Sequence, residues 1–404
     1  MPPAKRLPVK SALALPAASH PTILLLVIYA DHNATTPCLP EAAAAVAQAL
    51  LVDFGNPSAR HHAVGRAALA LVDGARLAVA TLLHVRPEEL LFTSGATEAC
   101  NLAITGIAGR LLPKRPVFVA LAVEHPAVLA PLERLTAYGA EIRIIPVRAD
   151  GSVDLEAAAA AIDDRTALVA AMLVNNETGV IHEVPALTAL AHAAGALVLC
   201  DITQAPARMA IDLPALGCDL AALSAHKLYG PKGVGALWLR RGLTLDPLQV
   251  GGGQERGLRA GTLNVPGIAG FGVAAQLAHD HLPARLEHLG ALSTVLETTL
   301  TAALPELVIH GSHRVPGVAM LTLPGLRHGW LTQLANVAAS AGSACASGTG
   351  EASHVLTALG LGREDARNSI RISLGEPTTT EEVAAIAASL IQGAQRLGKL
   401  PRSF

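Results

Sequence analysis

From about residue 40 to residue 240, short apolar runs alternate with alanine-rich stretches of helical character, and this alternation limits the fold more than any other feature. The spacing predicts strands at Leu90–Thr93, Val117–Val123, Glu141–Val147, Leu168–Val174, Ala196–Cys200, Asp219–Leu223 and Val234–Leu239. Helices are expected between them: Ala96–Ile107, a segment after Pro126, and an alanine helix to Ile162 with Asp154 as its N-cap. Strand–helix alternation of this kind implies an α/β fold with a mainly parallel sheet covered on both faces. With 404 residues, the chain exceeds one simple core. A large domain over 37–282 is expected. Residues 283–404, where the pattern turns helix-rich and then mixed, would join 23–36 in a smaller α+β domain. The composition is 51% hydrophobic but 2% aromatic, so small aliphatic side chains must fill the interior.

In open parallel sheets, ligands bind beyond the carboxyl ends of the strands. The polar residues Ser94, Thr97, His125, Asn176, Asp201, Gln204 and Lys227 fall at such ends. Side chains placed there on separate strands converge on one crevice.

Several partner classes are disfavoured. The formal net charge is −2 and there is no extended basic patch, which argues against nucleic acid or an anionic membrane. No apolar run is long enough to span a bilayer. The cysteines, Cys38, Cys100, Cys200, Cys218 and Cys345, are odd in number and form no CxxC pair, so a reducing compartment, the cytoplasm, is expected. Residues 1–22 read as a disordered extension. No metal site is expected.

The segment Ser224-Ala225-His226-Lys227-Leu228-Tyr229-Gly230-Pro231-Lys232-Gly233 carries the sharpest chemical signal. A lysine at the end of an apolar run, beside a hydroxyl and an imidazole, can serve as an amine nucleophile. The common use of such an amine is an imine with a carbonyl cofactor, with pyridoxal phosphate the leading candidate. Thr93-Ser94-Gly95-Ala96-Thr97-Glu98 places free amides and hydroxyls at a helix start, which suits either an anion or a simple cap. His125 can stack on a pyridine ring and move protons, or be a hydrogen-bonded loop residue. Asp201, ending an apolar strand, suits a protonated pyridine nitrogen or a helix cap. Gln204 and Asn176 could reach the phenolic oxygen, and Asn176 alternatively a substrate carboxylate. Gly251–Gly257 followed by Arg259–Thr262 is glycine-rich and basic but lacks the Lys-Ser/Thr of a nucleotide loop. Cys345 lies in a run of small residues, so it reads either as a mobile thiol or as a small residue in a tight turn. Arg371, inside an apolar strand, needs an anion: an amino-acid carboxylate or a structural ion pair.

Taken together, these segments resemble the cysteine desulfurases of the class V aminotransferases, pyridoxal phosphate enzymes of fold type I. The resemblance begins at Tyr29–Pro37, includes Phe54–Ser58, and covers nearly everything after residue 28. It implies a large domain with a mainly parallel seven-stranded sheet and a smaller C-terminal α+β domain. It implies that Lys227 anchors the cofactor and takes the substrate α-proton, that His125 is an acid/base stacked on the ring, and that Cys345 accepts the sulfur. The implied cofactor set is Ala96, Thr97, Asn176, Asp201, Gln204, Ser224, His226 and Lys227, with Thr262 from a second subunit of a homodimer. Asn176 and Arg371 would hold the carboxylate of L-cysteine. The products would be L-alanine and a persulfide passed to an acceptor protein for iron–sulfur cluster or other sulfur-requiring biosynthesis. The alternatives are another class V enzyme, such as a selenocysteine lyase or an aminotransferase, and a non-catalytic scaffold protein of the same fold. Ala225 replaces the glycine often found before the His-Lys pair, and Ala352 stands where a proline is common.

Overall fold

The computed structural model describes residues 27–326, 329–334, 336–341 and 352–398. The described chain opens with β1 (Ile28–Tyr29). The next strands are β2 (Leu90–Thr93), β3 (Val117–Leu121), β4 (Glu141–Ile145), β5 (Thr166–Met172), β6 (Leu197–Asp201), β7 (Leu220–Ser224) and β8 (Gly235–Leu239). They form one seven-stranded sheet in the order β2-β8-β7-β6-β5-β3-β4. The predicted runs therefore all enter a single sheet. β3 to β7 pair in parallel, whereas β8 runs antiparallel to both β7 and β2. The reason is local: only residues 225–234, a short helical turn and a glycine-rich loop, separate β7 from β8, too short for the crossover that a parallel neighbour requires.

Strand burial explains the continuous apolar runs. Along β3, Val117, Val119 and Leu121 enter one core while Phe118 and Ala120 enter the other. A strand covered on both faces has no polar side to expose. The helix Ala96–Leu111 covers one face through Ala99, Leu102 and Ala103. On the other face, the helices Ala63–Leu82 and Val265–Asp280 contribute Val72 and Phe271. The run predicted to end at Val174 stops as a strand at Met172: Leu173 N–H still bonds Asp201 O of β6, and the chain then turns, Asn175 N–H bonding Val180 O.

The later segment builds a separate antiparallel sheet, β12-β10-β9, from β9 (Val308–His310), β10 (Val318–Thr322) and β12 (Ile370–Ser373). Its core includes Leu296, Leu321, Trp330, Ile370, Ile372 and Leu390, with the helices Leu282–Ala303 and Thr380–Arg396 packed on it. Strand periodicity decides where Arg371 goes: Ile370 and Ile372 fill this core, so the residue between them faces the other way. β1 pairs with β11 (Val337–Ala338). Beyond β1, His32 N–H donates to Ser373 O, which leads residues 31–36 along the end of β12 and toward β7.

Gly235 stands opposite Thr93 in β2 and opposite Ser224 in β7, so it lies between two strand ends. A methyl carbon added there would stand 2.6 Å from Gly95 Cα and 2.5 Å from Leu223 O. Gly95 itself has φ +155°, open to glycine. Gly235→Ala is expected to push the Gly95 turn outward and cost about 1–3 kcal/mol, the usual range for overpacking, read as a lower urea midpoint with an unchanged slope.

Candidate active site

The carboxyl ends of β3, β5, β6 and β7, together with the start of the helix Ala96–Leu111, surround a cavity of about 430 Å³. This lies within the usual range for a cofactor site. Among the side chains predicted from sequence, Ser94, Ala96, Thr97, His125, Asn176, Asp201, Gln204, Ser224, His226, Lys227 and Arg371 all line it. Thr262 does not: it is exposed on the segment after the glycine-rich run. Cys345 lies outside the described residues.

Lys227 ends the short helical turn that follows β7. Its Nζ donates to Asn33 O and, at 2.9 Å, to Ala34 O. Gln204 Nε2 donates to the same Asn33 carbonyl at 3.0 Å. Next to Lys227, His226 holds Thr35 Oγ1 through Nδ1 at 3.1 Å. Burial, reinforced by Lys227 and Lys232, depresses the pKa of His226 to about 4, so its ring is neutral near pH 7.

His125 caps the helix Pro126–Leu135, and its Nδ1 accepts from Ala127 N–H at 3.0 Å. An accepting Nδ1 leaves Nε2 to carry the proton of the neutral ring. Burial lowers its pKa most; Asp201 opposes this, while Lys227 and His354 add to it. Asp201 Oδ1 accepts Thr203 N–H at 2.9 Å. The carboxylate is 7% exposed, and among the described residues it has no ion-pair partner. A buried carboxylate at the base of a cavity without a cation is costly unless a charged ligand meets it.

On the same cavity, the helix Ala96–Leu111 starts at Gly95 with no side chain capping its first turn. Its open amides, with Ser224 and Thr97 alongside, make an anion site. Glu98 bonds Ser94 N–H at 2.7 Å and Arg259 Nε at 2.8 Å. Burial works upward on its carboxyl, but the bonds from Arg259 and Ser94 outweigh it and lower the pKa. An anion cradle, a buried carboxylate and a primary amine lining one cavity match the phosphate, ring nitrogen and aldehyde of pyridoxal phosphate.

Arg371 is almost fully buried. It donates to Asp31 Oδ1 at 2.6 Å and to Asn176 O at 2.9 Å, while its Nε is buried without a partner. The structural ion pair weighed for it from sequence is therefore present, and it coexists with exposure of the group to the cavity. Sequence reasoning missed the individual parts played by Asp31, Asn33 and Ala34. They belong to the Tyr29–Pro37 segment, but two of the three act through backbone carbonyls, which no side-chain pattern announces. Lys232 and Glu98 also line the cavity.

Known proteins agree with this geometry. The pattern of the family described as aminotransferase class-V matches residues 28–386. The chain is 41% identical to the cysteine desulfurase IscS of Anaeromyxobacter sp. (strain Fw109-5) over 380 residues, covering 92% of this chain and 94% of that one. Its fold is similar to that of a solved NifS-like protein, with a TM-score of 0.83 and 33% identity, covering 92% of this chain and all of the other. It is likewise similar to a structure described as SspA in complex with cysteine, with a TM-score of 0.77 and 31% identity, over 87% of this chain and 99% of that one. The family pattern spans nearly the whole described structure, and the chain belongs to the class-V aminotransferase family, whose members depend on pyridoxal phosphate.

Proposed function

We propose that this chain is a pyridoxal phosphate-dependent cysteine desulfurase, converting L-cysteine to L-alanine and leaving the sulfur on Cys345 as a persulfide. The observation that carries the reading is the meeting of Lys227, Asp201, His125 and Arg371 in one cavity. When bound, the cofactor would withdraw electrons from the substrate α-carbon, the chemistry that lowers the barrier to proton loss there. Lys227 Nζ would anchor its aldehyde carbon, Asp201 would keep its ring nitrogen protonated, and Gln204 and Asn176 would serve its phenolic oxygen. Ala96, Thr97, Ser224 and His226 would hold its phosphate, with Thr262 of a second copy.

Arg371 fixes the substrate carboxylate, assisted by Asn176; its buried unpaired Nε is already desolvated for an anion. Lys227 Nζ, set free when the substrate amine takes its place, would then take the proton from the α-carbon. His125, neutral because burial outweighs Asp201, holds a proton at Nε2 for exchange at the ring face. Cys345 Sγ attacks the substrate sulfur. The carbon–sulfur bond breaks, a sulfur–sulfur bond forms, and the remaining fragment takes up a proton at the β-carbon and regains one at the α-carbon to leave as L-alanine. The sulfur passes on to an acceptor protein, an iron–sulfur scaffold or another sulfur-requiring partner.

A homodimer is proposed because large apolar side chains stay exposed: Leu51 and Phe54, and Leu248 and Val250 just before the glycine-rich segment. Thr262, turned away from its own cavity, fits that arrangement. The division into a cofactor domain over 37–282 and a small domain from 23–36 and 283–404 rests on the separate core around β10. Cytoplasmic residence rests on the free buried thiols Cys100, Cys200 and Cys218. No helix among the described residues is long and apolar enough to cross a membrane.

Incubation with L-cysteine is expected to yield alanine and a protein mass increase of one sulfur atom at Cys345. Lys227→Ala should lose the visible absorbance of the anchored cofactor together with all turnover; cysteine-dependent alanine formation surviving in this variant would refute the lysine assignment. Cys345→Ala should abolish sulfur release. Were it to leave transamination or selenium release from selenocysteine as the main activity, the alternative class V readings would take over. Arg371→Lys keeps a cation beside Asp31 but loses the fork, so KM for L-cysteine should rise about ten- to a hundredfold, the worth of one charge-assisted bond of ~1.5–3 kcal/mol. An unchanged KM would assign Arg371 to structure alone.

A further inference from the structure

The cradle proposed for the phosphate contains an anion of its own. Glu98 lies in the first turn of the helix Ala96–Leu111, lines the cavity, and accepts the Ser94 amide at 2.7 Å. An ionised carboxylate inside a turn meant for a phosphate opposes the ligand, since both compete for the same positive end of the helix. Facing it is Arg259, whose Nε and Nη2 reach the two carboxylate oxygens at 2.8 and 3.3 Å. Both side chains are largely shielded, so the pair is weakly screened by salt.

The segment that delivers Arg259 is itself held under constraint. Glu255 and Arg256 have φ of +43° and +60°, a left-handed conformation that non-glycine residues adopt at a cost. What holds Glu255 there is a buried clamp: its carboxylate accepts Arg76 at 2.6 and 3.0 Å and Phe92 N–H at 2.8 Å. Phe92 belongs to β2, whose end leads directly into the Ser94–Gly95 turn. The glycine-rich segment is thus tied to the same strand that presents the cradle.

We infer that Arg259 is a positioning residue for cofactor binding: by neutralising Glu98 it cancels a like charge beside the open amides of the helix start at Ala96 and leaves them able to take the cofactor's phosphate. This rests on the pyridoxal phosphate reading above. It assigns a role to a residue outside the cavity lining and explains why a carboxylate is tolerated within the turn.

The test is equilibrium uptake of pyridoxal phosphate by apoprotein, followed by absorbance and by thermal shift, beside uptake of pyridoxal, which lacks the phosphate. Arg259→Gln should weaken pyridoxal phosphate binding on the order of tenfold and leave pyridoxal binding nearly unchanged. Inorganic phosphate should likewise compete less well in that variant. Adding Glu98→Gln to Arg259→Gln should restore pyridoxal phosphate affinity to near that of the unsubstituted chain. A double variant no tighter than Arg259→Gln, or an Arg259→Gln variant that loses pyridoxal equally, would overturn the inference and make the pair a structural rivet. If the unsubstituted protein took up no pyridoxal phosphate, the site reading itself would fall, and the inference with it.

Discussion

The carbonyl of Asn33 is the point on which the site depends. It accepts both Lys227 Nζ and Gln204 Nε2. The Asn33 side chain donates to Asn176 O at 3.1 Å, and that oxygen also accepts Arg371. One residue early in the chain therefore ties the ends of β5, β6 and β7 to the strand that carries Arg371. Asp31, two residues before it, takes the other side of the Arg371 guanidinium and is itself held by Ser340 Oγ at 2.6 Å. A site assembled across two sheets needs such a tie, because neither sheet alone fixes the distance between an amine on one and a guanidinium on the other.

The electrostatics follow from burial at that junction. His125 and His226 both have lowered pKa values, and His32, buried against Gly375, is pushed down to about 3 by burial and by Arg208. Two imidazoles of the cavity, His125 and His226, which would carry partial charge in water, are thereby kept neutral beside Lys227, Lys232 and Arg371, and His32 is neutral as well. Had they been cationic, they would compete for Asp201 and for an anionic ligand. Glu124 is driven the opposite way: its pKa is well raised by burial and by Asp201, so the carboxyl next to His125 favours its neutral form. Among the described residues, Asp201 is a buried carboxylate at the cavity without an ion-pair partner.

Much of this was legible from residue order. The apolar runs became strands almost where the pattern placed them, because a strand buried on both faces must be continuously apolar. The seven polar residues at strand ends, Ser94, Thr97, His125, Asn176, Asp201, Gln204 and Lys227, line one cavity. The antiparallel course of β8 was less legible, although the short turn before it contained the reason. The carbonyl contacts of Asn33 and Ala34 were not legible, since backbone acceptors carry no residue signature. Nor was the Arg371–Asp31 pair: the two are 340 residues apart and meet only because β12 bonds to the segment after β1.

Sequence alone determined the order of strands and helices, the carboxyl-end placement of the polar residues, and the chemical types available: a lysine directly after β7, a carboxylate at the end of β6, an imidazole after β3. These are local matters, set by hydrophobic periodicity and by which residue ends each run. Tertiary structure decided what those groups meet: which carbonyls hold the amine, which imidazoles lose their charge, and which carboxylate is left without a cation. Those outcomes depend on distances between segments far apart in the chain and on how much water packing excludes, and neither is encoded in any single stretch.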